Sequence, residues 1–150
     1  WEMKDRTVWV ADSFEGLPVP SLPQDKGYDF SATKIPILSI SLEEVQENFR
    51  RYNLLDDQVR FLKGWFCDTL PKAPIGQLAV LRLDGDLYES TMDGLNALYS
   101  KVSPGGFVIV DDYGDFAPCR NAVNEFRQLH GINEPIEKID WTGVFWRKLS

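Results

Sequence analysis

LAVLRLDGD, at Leu78–Asp86, and FVIVDD, at Phe107–Asp112, are the two stretches that decide the fold. Each is a short apolar run that ends in carboxylates, a pattern typical of a buried parallel strand whose carboxyl end opens into a ligand crevice. Strands joined by one right-handed crossover are parallel, so both would end at the same edge of the sheet. The sequence therefore predicts an acidic rim at that edge.

The segment between these strands, Tyr88–Val102, has the pattern of an amphipathic helix, because its apolar residues recur at three- and four-residue steps. It is followed by Ser103–Gly106, SPGG, a cluster that is expected to end the helix and return the chain to the sheet. The predicted unit is therefore strand, helix, strand. Its apolar helix positions are Tyr88, Met92, Leu95, Leu98, Tyr99 and Val102.

Upstream of this unit, strand and helix patterns alternate again. Thr7–Ala11 and Val59–Lys63 are predicted strands, and Ser41–Glu44 is a capping box that begins a helix between them. The segment Leu17–Ile40 is rich in Pro, Ser and Gly and has no sustained period. Loops of that length inside a domain are usually functional or disordered. We expect a mobile cover over the crevice, with partial disorder as the alternative.

Downstream of the unit, the pattern predicts one more helix and a hairpin. The helix begins at Ala117 and ends near His130, the only histidine, which we interpret as a helix-end residue rather than a base. Two short strands, Pro135–Ile139 and Gly143–Lys148, are close enough to pair as an antiparallel hairpin. The predicted fold class is α/β, with a mostly parallel, doubly wound sheet and a C-terminal antiparallel hairpin.

The composition argues against several classes of partner. A net charge of −7, with 43% hydrophobic and 26% charged residues in 150, is ordinary for one globular domain. Because the chain has no basic stripe to meet phosphates, we expect no nucleic-acid partner and no membrane surface. No apolar run is long enough to span a bilayer. The isolated Cys67 and Cys119 indicate a reducing, cytoplasmic environment.

The carboxylates at the predicted strand ends are candidate metal ligands. Asp84 and Asp111 lie one strand–helix–strand unit apart, so both can face one point, and Asp112 adds a third carboxylate. Oxygen ligands without Cys or His suit Mg²⁺ better than zinc. The alternative is structural, with Asp84 or Asp86 capping the following helix and Asp112 bonded to a loop. The pattern alone leaves both open.

Two other strand ends have features of a nucleotide site. Asp12 follows the first predicted strand, where an acidic side chain accepts hydrogen bonds from ribose hydroxyls, although it also suits the start of a turn. Gly64 permits close backbone approach. Trp65 or Phe66 would stack on a flat heterocycle or, alternatively, pack beneath a loop. No Gly-rich turn precedes the strand at Thr7–Ala11. We therefore expect this strand to correspond to the second strand of a doubly wound fold, whose first strand is missing from the sequence.

Long segments of the chain closely resemble the macrocin O-methyltransferase family. These segments are VWVADSFEGLP (Val8–Pro18), the run from the capping box through DTLP (Ser41–Pro71), LAVLRLDGDLYESTMDGL (Leu78–Leu95), SPGGFVIVDDYG (Ser103–Gly114) and IDWTGVFWRK (Ile139–Lys148). Enzymes of this family methylate a sugar hydroxyl during the biosynthesis of macrolide antibiotics. The resemblance implies an S-adenosylmethionine-dependent and Mg²⁺-dependent O-methyltransferase with a Rossmann-like, class I methyltransferase sheet, acting on a glycosylated natural product.

The same resemblance implies roles for individual residues. Asp84, Asp111 and Asp112 would bind the metal ion. A cation lowers the pKa of a bound hydroxyl, and Asp84 or Asp86 is the expected catalytic residue that accepts the proton. The expected cofactor-binding residues are Asp12 at the ribose, its neighbour Ser13, and Gly64, Trp65 and Phe66 beside the adenine.

The sequence departs from the family at its beginning, where the Gly-rich turn for the methionine end of the cofactor is absent. The missing first strand is central in such folds, which would leave Thr7–Ala11 and Leu78–Asp84 facing each other across a gap or pairing directly. We therefore expect residues 1–150 to be a single, N-terminally truncated domain that binds S-adenosylmethionine weakly or not at all and is inactive alone. Exposed strand edges would favour a homo-oligomer.

Two other functions remain open at this point. A nicotinamide-dependent oxidoreductase would also use an acid after the strand at Thr7–Ala11, but it leaves the three aspartates unexplained. A non-catalytic metal-binding or dimerisation module would use the aspartates without any transfer chemistry.

Overall fold

Six strands and four α-helices alternate along residues 3–149, which are the residues that the computed structural model describes. The strands are β1 (Val8–Asp12), β2 (Val59–Lys63), β3 (Leu78–Leu83), β4 (Val102–Val110), β5 (Glu137–Lys138) and β6 (Val144–Arg147). The helices are α1 (Leu42–Arg51), α2 (Phe66–Thr69), α3 (Tyr88–Leu98) and α4 (Ala117–Leu129). Short 3₁₀ turns lie at Pro23–Asp25, Pro36–Leu38, Leu70–Lys72 and Tyr99–Lys101.

The strands form two sheets. β1 and β2 pair in parallel, and the other four strands are ordered β3-β4-β6-β5. Within the larger sheet β3 and β4 are parallel, whereas β6 is antiparallel to both β4 and β5. The predicted α/β class is confirmed, with parallel strands joined by helices and an antiparallel hairpin at the C-terminal end.

β1 and β3 belong to different sheets and are separated by a gap. Val8 of β1 is 52% exposed, and Val80 of β3 is 51% exposed. A cavity of about 420 Å³ is lined by Arg6, just before β1, and by Ala79 and Val80 of β3. Of the two arrangements expected for these strands, the structure has the gap and not the direct pairing.

The hydrophobic core lies between the four-stranded sheet and helices α3 and α4. Apolar side chains of β3 and β4 that face the helices are buried, and this fixes the register of the two strands. Because of that register, β3 and β4 end at the same edge of the sheet. The buried residues of this core include Leu81, Leu83, Leu95, Val108, Val110, Val123, Phe126 and Trp146.

The C-terminal end of α3 differs from the prediction. The helix expected to reach Val102 ends at Leu98, a 3₁₀ turn follows, and β4 already begins at Val102. The SPGG cluster lies inside β4, where Gly105 has a φ of +83°. A Cβ on Gly106 would come within 2.9 Å of the Ala79 carbonyl oxygen. The glycines therefore permit an irregular strand in close backbone contact, and they do not end the helix.

The other predicted helix ends agree with the structure. The Glu44 N–H donates to Ser41 Oγ at 3.3 Å, and the Ser41 N–H donates to Glu44 Oε2 at 3.1 Å, which completes the capping box. Pro118 lies in the first turn of α4, and His130 follows its last turn, with Nδ1 2.9 Å from the Phe126 carbonyl oxygen. Across residues 3–149, every helix is too short or too polar to cross a membrane.

Candidate active site at the carboxylate rim

Acidic side chains gather where β3 and β4 end. The Asp111 N–H donates to the carbonyl oxygen of Leu83 at 3.0 Å, which keeps the two strand ends level. One carboxylate oxygen from each of Asp84, Asp86 and Asp112 lies within 4.8 Å of the other two. The acidic rim expected from the two apolar runs is therefore present, and three of its side chains share one small volume.

Burial and mutual repulsion raise the pKa of two of these carboxyls. The pKa of Asp84 rises to about 6, first because burial disfavours the charged form and then because Asp112 and Asp111 are close. The pKa of Asp86 rises to about 7, again mainly through burial, with Asp112 and Asp84 contributing. At neutral pH the group therefore has excess negative charge that a proton or a cation would relieve.

Asp111 pairs with an arginine. Its Oδ2 accepts hydrogen bonds from Arg82 Nε, at 2.8 Å, and from Arg82 Nη2. Arg82 Nη2 also lies 3.6 Å from Asp84 Oδ2. The predicted ligands Asp84 and Asp112 are thus brought together, while the third member of the group within 4.8 Å is Asp86. A role for Asp111 as a metal ligand stays a prediction.

Asp86 has a backbone conformation that L-residues rarely adopt. Its φ is +53°, in the left-handed region that aspartate tolerates better than most residues. Its N–H donates to Asp112 Oδ2 at 3.2 Å, so Asp112 does bond to a loop. The alternative that Asp84 or Asp86 caps α3 is wrong, because the first N–H groups of that helix donate to Asp25.

Asp12 ends β1 and begins a turn. Its Oδ1 accepts a hydrogen bond from the Phe14 N–H at 2.6 Å. The buried Ser13 hydroxyl donates to the Gly16 carbonyl oxygen at 2.6 Å and accepts from the Glu15 N–H at 3.0 Å. The turn therefore uses Oδ1 of Asp12 and the hydroxyl of Ser13. Cofactor binding by either residue stays a prediction.

The Gly64-Trp65-Phe66 turn lies beside Asp12 and next to a cavity. Gly64 has a φ of +136°, and a Cβ there would lie 2.7 Å from Thr69 Cγ2, so the turn requires glycine. The Gly64 N–H donates to the Asp12 carbonyl oxygen at 2.9 Å, which keeps the ends of β1 and β2 level. Trp65 and Phe66 line a cavity of about 220 Å³, together with residues of the 17–40 segment and of α3.

Sequence reasoning missed two residues that organise this site. Arg82 interrupts the apolar run of β3, and a charge in such a strand beside acidic residues was a visible signal for an ion pair. Asp25 lies in a segment without periodicity, and its bonding partners are 63 and 64 positions away. Local pattern therefore held no signal for Asp25.

A solved structure described as the O-methyltransferase NovP matches with a TM-score of 0.95 and 53% sequence identity, over 99% of this chain and 62% of that chain. The fold is therefore an α/β methyltransferase fold of the Rossmann-like class I type. The chain belongs to the macrocin O-methyltransferase family, since the family described as Macrocin-O-methyltransferase (TylF) matches residues 1–148.

Curated relatives that are more than half identical to the chain are named as O-methyltransferases. The 8-demethyl-8-(2,3-dimethoxy-alpha-L-rhamnosyl)-tetracenomycin-C 4'-O-methyltransferase of Streptomyces olivaceus is 57% identical, in an alignment that covers 95% of this chain and 55% of the relative. The mycinamicin III 3''-O-methyltransferase of Micromonospora griseorubida is 52% identical, in an alignment that covers 99% of this chain and 59% of the relative. The chain thus spans little more than half the length of these relatives. Membership in a methyltransferase family argues against the nicotinamide-dependent alternative.

Proposed function

We propose that this chain carries the metal site and part of the cofactor site of an S-adenosylmethionine-dependent O-methyltransferase. The observation that carries the proposal is the group of three carboxylates within 4.8 Å at the rim of a methyltransferase fold. Family membership supports the class of reaction. The acceptor we propose is a sugar hydroxyl of a glycosylated natural product, because the relative from Streptomyces olivaceus is named for a rhamnosyl substrate.

The donor set fits a magnesium ion. All its candidates are carboxylate oxygens, the hard ligands that Mg²⁺ prefers. The raised pKa values of Asp84 and Asp86 indicate that added positive charge would stabilise the group. Asp84 and Asp112 would hold the ion, and the family resemblance adds Asp111, which already accepts hydrogen bonds from Arg82. When bound, the ion lowers the pKa of an alcohol that it coordinates.

Asp86 is the best candidate for the proton acceptor. A sugar hydroxyl is a weak acid, so its oxygen attacks a methyl carbon readily only if a base takes the proton. Asp86 is placed for this task, because one of its carboxylate oxygens lies within 4.8 Å of those of Asp84 and Asp112. Asp84 is the second candidate, at the same rim. The other task of these residues is to align the hydroxyl oxygen for transfer.

Asp12 and Trp65 are the residues that would hold the adenosine part of the methyl donor. Asp12 Oδ2 suits the ribose hydroxyls, because the turn uses Oδ1. Trp65 and Phe66 flank a cavity of about 220 Å³, which suits a flat ring rather than a whole cofactor. S-adenosylmethionine supplies a methyl group that is already activated by its sulfonium.

We further propose that the protein works in the cytoplasm as a homo-oligomer, with a small-molecule substrate and no nucleic-acid or membrane partner. The exposed edges at Val8 and Val80 favour self-association. Cys67 and Cys119 are both free thiols, which suits a reducing compartment.

Metal binding at the rim is tested with Asp112→Asn, which keeps the side-chain shape and removes one charge. We expect the affinity of the chain for Mn²⁺, used as the probe, to fall at least about tenfold in a calorimetric or electron paramagnetic resonance titration. Asp115→Asn is the matched control, because it removes an exposed carboxylate three positions further on. Equal Mn²⁺ affinity in both variants would contradict the proposed site.

The reaction itself is tested by methyl transfer to a panel of glycosylated natural products, with this chain as part of a protein of its relatives' length. We expect activity that is lost with EDTA and restored by Mg²⁺. Activity that persists without any divalent cation would refute the magnesium role.

A further inference from the structure

The segment 17–40, here called the cover loop, is joined to α3 by a buried carboxylate. Asp25 is fully buried, with 0% exposure. Its Oδ1 accepts a hydrogen bond from the Tyr88 N–H at 2.6 Å, and its Oδ2 accepts one from the Glu89 N–H at 3.1 Å. Both oxygens of one side chain are thus used by the first turn of a helix that is distant in sequence.

This contact supplies the cap that α3 lacks locally. The residue before the helix is Leu87, whose apolar side chain cannot accept a hydrogen bond. The N–H groups of a first helical turn have no partner within the helix, and a negative charge beside them is favoured by the helix dipole. Asp25 meets both requirements, so the position of the cover loop and the start of α3 depend on each other.

The start of α3 in turn sets the position of Asp86. Asp86 precedes Tyr88 by two residues and has its left-handed φ of +53° between the end of β3 and the helix. On one side its N–H donates to Asp112 Oδ2 at 3.2 Å. On the other side the Asp25 bonds fix the first helical turn. The uncommon conformation of Asp86 is therefore held from both ends.

The cover loop has further contacts around the rim. Ser21 Oγ donates to Glu89 Oε2 at 2.7 Å, which adds a second bond to α3. The rings of Tyr28 and Phe30 lie 6.3 and 5.2 Å from the ring of Phe116, just before α4. The loop thus reaches from the start of α3 to the start of α4, and these are the helices that follow the acidic ends of β3 and β4.

We propose that Asp25 is a positioning residue, which holds the cover loop on α3 and thereby keeps Asp86 in its left-handed conformation beside Asp112. The effect of Asp25 on the conformation of Asp86 does not depend on whether the protein is an active enzyme. Its consequence for catalysis rests on the proposed function of Asp86 as the proton acceptor.

The test compares Asp25→Asn with two controls. Asp25→Asn keeps the side-chain size but replaces one acceptor with an NH₂ donor, which faces a backbone N–H. Asp29→Asn is the same substitution in the same loop, where the carboxylate accepts from the nearby Ser31 N–H and hydroxyl. Tyr88→Phe removes the bond from Tyr88 Oη to Glu125 Oε2, at 2.8 Å, between α3 and α4. It controls for a general loss of stability.

The first readout is made on the 150-residue chain and needs no activity. We expect Asp25→Asn to speed hydrogen exchange at the Tyr88 and Glu89 amides and to move the Asp86 Cα chemical shift away from its left-handed value. Both controls should leave the Asp86 shift unchanged. An unchanged Asp86 shift in Asp25→Asn would overturn the proposal, whether or not the chain proves to belong to an active methyltransferase.

The second readout is kinetic and uses the protein at the length of its relatives. We expect Asp25→Asn to lower kcat roughly 10- to 100-fold, because small displacements of a reacting group cost about that much, with little change in the KM for S-adenosylmethionine. A fall in stability with kcat unchanged would mean that Asp25 is only a cap. If Asp25→Asn does not fold, Ser21→Ala is measured instead. Ser21→Ala should change the Asp86 Cα chemical shift in the same direction but by a smaller amount. An unchanged Asp86 chemical shift in Ser21→Ala would also overturn the proposal.

Discussion

At the residue scale, the rim carboxylates determine how the protein responds to pH. The pKa of Asp84 is raised to about 6 and that of Asp86 to about 7, so the folded state keeps protons that the unfolded chain has already lost. Arg82 balances part of the negative charge through Asp111. The repulsion that remains is a cost that functional sites commonly carry, because it prepares them to bind a proton or a cation.

We therefore expect the thermal stability to fall as pH rises from about 4 to about 7. Protonated Asp84 and Asp86 contribute stability that is fully present below their ordinary pKa of 3.8 and is lost as pH rises through about 6 and about 7. Asp86→Asn is neutral at every pH, so it should raise the Tm above pH 7 and flatten the profile. Calorimetric melting across this range measures both effects.

Asp115→Asn is the control for this experiment, because it removes an exposed carboxylate next to the rim. It should leave the shape of the pH profile as it is. A profile for Asp86→Asn that is parallel to that of the original chain would show that the repulsion assigned to Asp86 is wrong.

At the element scale, the helices and strands could be predicted wherever a periodic pattern was bounded by a local sequence signal, such as a capping box or a carboxylate at a strand end. The Ser41–Glu44 capping box placed the start of α1, and the two apolar runs placed β3 and β4 with their carboxylates, because all these signals are local. The SPGG cluster was misread, since glycine and proline indicate irregular backbone without saying which element contains it. The four-residue helix Phe66–Thr69 is too short to have a period.

The residues of the candidate site could be predicted from local sequence, whereas the contacts that arrange them could not. Its acidic residues follow directly from strand ends, so sequence reasoning reached Asp84, Asp86, Asp111 and Asp112. The contacts that arrange them join distant parts of the chain, such as Asp25 with the start of α3. A pattern in one segment contains no information about such a partner.

The turn between β2 and α2 provides an element-scale prediction. Gly64→Ala should destabilise the chain by about 1–3 kcal/mol, because the φ of +136° is unfavourable for any L-residue and the added Cβ would meet Thr69 Cγ2. Gly76→Ala is the matched control, since a Cβ there meets nothing within 4 Å. Urea unfolding measures both variants, and equal midpoints would contradict the strain assigned to Gly64.

At the scale of the whole molecule, the two halves of the candidate site belong to different sheets. The proposed metal ligands depend on β3 and β4, whereas Asp12 and Gly64 depend on β1 and β2. The gap between β1 and β3 separates these two supports. Metal binding needs only the larger sheet, but a cofactor that touches both halves needs the two sheets to be held in one arrangement.

The 150-residue chain should therefore bind a metal ion but bind the cofactor only weakly. We expect Mn²⁺ to bind at the rim, because Asp84, Asp86 and Asp112 already lie within 4.8 Å of one another. S-adenosylmethionine should bind with a Kd weaker than about 100 μM, since the cavity of about 220 Å³ beside Trp65 accommodates only a part of it. Calorimetry measures both ligands on the same sample, and circular dichroism checks that the sample is folded. A folded chain that binds no Mn²⁺ would contradict the metal prediction. A Kd for S-adenosylmethionine in the low micromolar range would mean that the gap between the sheets does not limit cofactor binding.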